Sequence, residues 1–243
     1  MANTKLTSSE KRIMKDLKPF ITGVNKPDDI FINVNKKMTD IKNIKCMTFC
    51  PKDSAYKNCV FFYNFNFDNN YPLTSPKGVF VNIDSKTRLH PNLYENGKIC
   101  LSSLGGWHGE PWRPTETITS ALLSLMVILD ENPITKEPSY EDYTLNNKVA
   151  FEYLKYVKYN AIRLGIVDVI NNKYSSFECF RDQYLEYFKS NHENILNEFD
   201  HCIKEFGESF FSDVGIYAIK KTKLSFKQLK NEYIDAYRKI IDK

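Results

Sequence analysis

The sequence predicts an α+β fold: a four-stranded antiparallel sheet packed on helices, with a helical C-terminal extension. Three observations predict it. Phe61, Tyr63, Phe65 and Phe67 alternate with Val60, Phe62, Asn64 and Asn66, the period of a half-buried strand. Strand-like stretches follow one another across short turns with no helix between them. That favours antiparallel pairing, because parallel neighbours need a crossover of about a dozen residues or more. From about Leu145 onward the chain reads as helix.

The elements follow in order. Thr7-Ser8-Ser9-Glu10 has the spacing of a capping box and opens a first helix. Ile13, Met14, Leu17 and Phe20 make its apolar stripe, leaving Lys11, Arg12, Lys15 and Lys18 for solvent. Residues 29–48 read as strands with ragged alternation, 60–67 as the clearest strand, and Val79, Val81 and Ile83 as a shorter one. Ala121 to Leu129 is apolar on all sides, which suits a helix buried against the sheet, and Asn132-Pro133 ends it. A longer helix is expected from about Leu145 to Asn171. Ser175-Ser176-Phe177-Glu178 then opens a helical region through about Glu208. Ser225-Phe226-Lys227-Gln228 opens a last helix with the stripe Phe226, Leu229, Tyr233, Tyr237, Ile240 and Ile241.

Composition narrows the function classes. The 243 residues carry a net charge of +4 spread along the chain, which gives no case for a nucleic-acid face. The longest apolar run is too short for a bilayer span, and no secretory signal is visible at the N-terminus. Six cysteines without such a signal point to reduced thiols and a cytoplasmic or nuclear setting. Cys46, Cys50 and Cys59 lie in or beside strands and lack a fourth ligand at suitable spacing, so packing is preferred to a metal site. No metal and no organic cofactor is expected. His192 and His201 show no ligand pattern and are read as surface residues.

The most informative stretch is His90-Pro91-Asn92-Leu93-Tyr94-Glu95-Asn96-Gly97-Lys98-Ile99-Cys100-Leu101. Pro91 fixes the backbone ahead of an amide at Asn92, and Asn96-Gly97 is a strong turn signal. A thiol at the end of such a loop is placed for chemistry, whereas one inside an apolar run is packing. With a histidine and an amide nearby, nucleophilic catalysis by Cys100 and a structural cysteine both remain open.

The spacing from Asn92 to Cys100, with Asn-Gly between and Ile-Cys-Leu at the end, resembles the active-site signature of ubiquitin-conjugating enzymes. Ser54-Ala55-Tyr56 with Val60-Phe61-Phe62, Tyr71-Pro72-Leu73-Thr74-Ser75-Pro76 and Trp112-Arg113-Pro114 resemble further segments of that family. Asn96 to Ser102, Gly105-Gly106-Trp107, Glu131-Asn132-Pro133 and Glu137-Pro138-Ser139-Tyr140-Glu141 are similar to the large subgroup typified by conjugating enzyme Z. The resemblance covers residues 8–172 well and continues weakly beyond. It implies the ubiquitin-conjugating fold, a core domain over 1–172 and a helical extension over 173–243.

The resemblance also assigns roles. Cys100 would carry ubiquitin or a ubiquitin-like modifier as a thioester on an exposed thiol. Asn92 would donate to the oxyanion or to a backbone carbonyl that holds the loop. His90 and Pro91 would support that loop, as would Ser102, which stands where many members have aspartate. Glu137 would orient the incoming lysine, or else be an exposed loop carboxylate. Lys11, Arg12 and Lys15 would dock the activating enzyme. Tyr71, Pro72, Leu73, Trp112, Arg113 and Pro114 would meet a ubiquitin ligase, with Trp107 and Trp112 alternatively serving as core anchors. The implied partners are the modifier, the activating enzyme, a ligase and a protein substrate, with no nucleic acid and no membrane. The extension would cover part of the modifier or help select the activating enzyme. Two other readings stay open: a cysteine peptidase pairing Cys100 with His90 on a modifier precursor, and a non-catalytic ubiquitin-binding module.

Overall fold

The structure, a computed structural model, describes residues 6–34, 40–106 and 108–241. Trp107 and the 35–39 portion of the expected strand region lie outside the described residues. Helix α1 (Ser8–Thr22) begins with the predicted capping box: Thr7 accepts from the Glu10 amide, and Glu10 accepts from Thr7 N–H. Strands β1 (Ile30–Asn33), β2 (Asn43–Phe49), β3 (Val60–Asn66) and β4 (Lys77–Phe80) form one antiparallel sheet in chain order. The described residues between 81 and 117 form no regular elements apart from a short 3₁₀ turn at Ser102–Leu104. They lead into α2 (Ile118–Ile128), and α3 (Lys148–Ile162) then passes through a π-helical turn (Arg163–Val167) into α4 (Asp168–Ile170). The C-terminal part holds α5 (Arg181–Ser190), α6 (His192–Phe206), the hairpin β5 (Ser209–Phe211) and β6 (Lys223–Ser225), and α7 (Phe226–Ile241).

The two faces of the sheet explain how the extension is held. Phe61, Tyr63 and Phe65 point inward, as alternation requires, and Phe61 and Tyr63 both meet Phe80. On the other face, register places Phe62 opposite Met47, Val60 opposite Phe49 and Asn64 opposite Lys45. That face is polar at the Asn64 end and apolar at the Phe62 end. The extension covers the apolar end. Phe62 packs against Tyr174 and Phe177, each 4.8 Å away between ring centroids, and Phe49 stacks on Tyr187 at 3.9 Å. One apolar cluster therefore runs from Ile13 on α1 to Tyr233 on α7. The boundary at 172/173 changes the kind of element and leaves the core unbroken.

Several expectations need correction. Val79 and Ile83 are exposed, and the buried residue of β4 is Phe80, because Val79 pairs with Asn64 on the polar end of the outer face. Helix α2 is not buried all round: Leu123 and Val127, one turn apart, are 43% and 79% exposed. Ser175 caps nothing, since this segment is a 3₁₀ turn (Ser175–Phe180) kinked at Phe177. Arg12 is half-buried, and its guanidinium donates to the carbonyls of Pro114 (2.7 Å) and Glu116 (2.8 Å). His192 stacks on Tyr237 at 3.7 Å and shares a hydrogen bond with the Tyr233 hydroxyl, so it is an interhelical contact. His201 is exposed beside Glu205.

Phe177→Ala tests the shared core. Truncating a fully enclosed phenylalanine costs about 3–5 kcal/mol, so urea unfolding should show one cooperative transition at a clearly lower midpoint. An early partial transition, with the rest of the chain unfolding as in the parent protein, would mean the extension folds on its own.

Candidate active site

The site is built in a stretch with no regular structure, so local turn bonds and side chains together must satisfy its buried backbone groups. Asn92 and Cys100 bond reciprocally: the Cys100 amide donates to the Asn92 carbonyl at 2.8 Å, and Asn92 Nδ2 donates to the Cys100 carbonyl at 2.6 Å. Between them the chain reverses at Asn96-Gly97, where Gly97 takes the left-handed φ of 85° and its amide donates to Tyr94. A second bond, from Phe80 N–H to the Gly97 carbonyl, ties the turn to β4. The motif thus folds as the spacing suggests, with position 92 against position 100.

His90 is a brace. Its ring is fully buried, Nδ1 accepts from the Asn92 amide (2.9 Å), and Nε2 lies 3.0 Å from the Ile128 carbonyl at the end of α2. An acceptor at Nδ1 and a carbonyl at Nε2 require the neutral Nε2–H tautomer. Burial accordingly pushes the imidazole down to about 3. Both nitrogens are committed, so the cysteine–histidine peptidase reading has no available base. Pro91 offers its carbonyl to Arg88 Nη2 at 2.7 Å, and Asn82 spans the base of the loop by donating to the Thr87 and Glu95 carbonyls.

Cys100 differs from expectation. The residue is only 3% exposed, and its thiol donates to the Gly106 carbonyl at 3.1 Å. It lies outside the apolar core cluster, under the turn that follows the 3₁₀ segment beginning at Ser102. That turn fits closely. A Cβ on Gly106 would lie 2.5 Å from the Ile99 carbonyl oxygen and 3.0 Å from Cys100 Cα. The thiol is therefore shielded by a local backbone turn and remains next to Asn92.

Glu137 is also engaged elsewhere. Its carboxylate accepts from the Tyr217 hydroxyl and lies 3.8 Å from Arg88. No hydrogen bond or ion pair joins it to Cys100 among the described residues, so it holds the C-terminal segment and is not poised over the thiol. Sequence reasoning missed Arg88 and Tyr217. Nothing in the sequence pairs positions this far apart.

The expected docking residues partly converge. Trp112 Nε1 donates to the Pro72 carbonyl at 2.8 Å, Tyr71 donates to Asp16, and Arg12 sits 5.7 Å from the Tyr71 ring while gripping Pro114. The first helix and both loops thus form one surface, on which Leu73 is 75% exposed and Lys11, Lys15 and Pro114 are exposed; Tyr71, expected to meet a ligase, is instead buried beneath it in the core. Arg113 is exposed and paired with Glu110. Cys46, Cys50 and Cys59 are buried in and beside the strands, and burial raises their thiols well above the ordinary range.

Two predictions follow from this geometry. The buried His90 ring resists protonation until about pH 3, whereas in the unfolded chain it titrates near 6.5. Its contribution is complete above about pH 6.5 and is lost as pH falls, by up to about 1.4 kcal/mol per pH unit. Urea midpoints at pH 7 and pH 5 should show that loss, and His90→Gln should flatten it. An identical pH dependence in both proteins would assign the effect to another group. Gly106→Ala should force the turn away from Cys100. Alkylation of Cys100, read by peptide mapping against exposed Cys179, should then accelerate while stability drops by about 1–3 kcal/mol. Unchanged labelling in a folded variant would mean that the turn is not the shield.

Comparison with known proteins bears on the family of the chain. The family model described as Ubiquitin-conjugating enzyme matches residues 12–160. Ubiquitin-conjugating enzyme E2 Z of Danio rerio is 30% identical over 156 residues, covering 61% of this chain and 47% of that protein. The Homo sapiens protein of that name is 31% identical over 156 residues, covering 61% and 43%. This chain therefore aligns with less than half the length of either relative. A solved structure of a ubiquitin conjugating enzyme E2 from Plasmodium falciparum is 28% identical, with a TM-score of 0.44, covering 54% of this chain and 90% of that one. With its family model matched across more than half its length, and with Asn92 bonded to Cys100 in the loop that the motif predicts, the chain belongs to the ubiquitin-conjugating enzyme family.

Proposed function

We propose that the protein accepts ubiquitin or a ubiquitin-like modifier on Cys100 as a thioester and passes it to a substrate lysine or to a ligase cysteine. The Cys100 sulfur attacks the modifier's C-terminal carbonyl on an activating enzyme, and that enzyme's thiol leaves. A lysine amine then attacks the new thioester, an isopeptide bond forms, and Cys100 departs as thiolate. Bringing both reactants together makes the second step nearly intramolecular. The observation that carries this reading is the reciprocal bonding of Asn92 and Cys100. It holds the nucleophile's backbone and leaves one N–H of the Asn92 amide for the oxyanion that develops at the acyl carbon. Charging requires the turn at Gly106 to lift from the sulfur.

The surface formed by Lys11, Lys15, Pro72, Leu73, Trp112 and Pro114 serves the activating enzyme and a ligase in this reading. Arg12 and Tyr71 shape that surface from beneath. Reduced thiols fit a cytosolic or nuclear setting.

The test is direct. The protein is incubated with activating enzymes, ATP and a panel of modifiers, and a reductant-sensitive adduct is sought. Cys100→Ala should abolish it, and Cys100→Ser should replace it with an ester that survives reductant. Asn92→Ala should still charge but lose on the order of 10² in the rate of transfer to lysine. A peptidase would instead cleave a modifier precursor without ATP. The absence of any adduct across the panel would defeat the proposal.

A further inference from the structure

We propose that Tyr217, far along the C-terminal extension, is a positioning residue for transfer from Cys100, acting through Arg88. The inference rests on reading Cys100 as the thioester cysteine. Arg88 lies between two aromatic rings, its guanidinium 3.8 Å from the Tyr94 ring centre and 3.9 Å from that of Tyr217. Such faces hold a guanidinium in place by their quadrupoles and by shape. From that slot Arg88 Nη2 donates to the Pro91 carbonyl at 2.7 Å, fixing the peptide that leads into Asn92. Asn92 in turn donates to the Cys100 carbonyl. The chain of contacts therefore runs from Tyr217 to Arg88, to Pro91, to Asn92 and to Cys100.

Tyr217 is itself held on three sides. Its hydroxyl donates to Glu137, which also faces Arg88 at 3.8 Å, and its ring meets the fully buried Tyr153 edge-on at 5.8 Å. An independent observation points the same way. Tyr217 and Ala218 both take left-handed backbone angles, with φ of 61° and 49°. Two successive side-chain-bearing residues in that region are strained, and such strain persists only where surrounding contacts over-determine the position. Here those contacts are Arg88, Glu137 and Tyr153, so the strained turn places the ring against the guanidinium.

The claim concerns aim, not bulk stability, and the assay is designed to separate the two. The full-length protein is charged, and single-turnover discharge to free lysine is followed alongside the concentration dependence of charging. Tyr217→Ala should slow discharge about ten-fold, well inside the ~10²-fold that a 1 Å misplacement costs. Half-saturation for the charged activating enzyme should not move. Tyr217→Phe, which keeps the ring over Arg88, should retain discharge to within about two-fold, so the conservative variant rescues what truncation loses. Arg88→Lys should resemble Tyr217→Ala, because an ammonium cannot fill a slot built for a planar fork. Tyr237→Ala is the control for mere destabilisation: it removes the stack on His192 between helices and should lower the unfolding midpoint while leaving discharge unchanged. Discharge by Tyr217→Ala at the parental rate overturns the proposal, as does an equal loss in Tyr237→Ala. If the parent protein forms no adduct at all, the conjugating reading fails and this inference fails with it. Adduct formation with unaltered discharge sinks this inference alone.

Discussion

Everything around the thiol depends on one constraint: buried backbone groups in an irregular loop must find partners that no helix or sheet supplies. Residues 82–100 meet it partly with backbone bonds inside the loop and to β4, and partly with side chains. The Asn92 amide takes the Cys100 carbonyl, the His90 ring takes the Asn92 N–H, the Arg88 guanidinium takes the Pro91 carbonyl, and the Asn82 amide takes two carbonyls at the loop's base. Each is a planar group whose geometry fixes direction as well as distance. A loop held this way is rigid without being regular, which a nucleophile presented to a second protein requires.

Besides its bond to β4, three contacts tie the loop to distant parts of the protein. His90 reaches the last carbonyl of α2, and Asp84 and Thr87 are gripped by Arg163 where α3 passes into its π-helical turn. Arg88 meets Glu137 and Tyr217. The third anchor belongs to the extension, which also seals the apolar end of the sheet through Tyr174, Phe177 and Tyr187. The extension is thus part of the core in two places. Removing it would expose Phe49 and Phe62 and release Arg88 together, so a deletion confounds stability with any role in recognising partners.

What was legible in the sequence and what was not divides along physical lines. The Asn92-to-Cys100 motif, the capping box at Thr7 and the inward face of β3 are local patterns, and the structure contains all three. The errors arose where tertiary context decides. Phe62 reads as the solvent side of a half-buried strand, yet helices more than a hundred residues later cover it. Val79 looks inward by hydrophobicity but pairs opposite Asn64 on the open face. Arg12 looks like a free surface charge and instead satisfies two loop carbonyls. The hairpin of β5 and β6 has strands too short to show alternation. The contact of Glu137 with Tyr217, eighty positions on, has no signal in the sequence, which leaves that carboxylate open to a role at the thiol or in an exposed loop.

The covered thiol is the remaining difference between expectation and structure, and magnitudes decide how to read it. A cysteine sealed by core side chains could be reached only by disrupting packing at several kcal/mol. The cover over Cys100 is of another kind. Among the described residues it is a weak S–H···O contact to Gly106, a bond from the Gly106 N–H to the Leu101 carbonyl at 3.0 Å, and the close seat of a glycine backbone on Ile99 and Cys100. Gly105 beside it has open space around its Cα and a left-handed φ of 74°, the freedom a hinge needs. The bonds among Asn92, His90 and Arg88 involve none of that turn's atoms. Opening at the thiol and rigidity behind it are therefore separate properties of neighbouring segments. The loop before Cys100 is fixed by planar side chains, and the turn after it is held lightly by glycines.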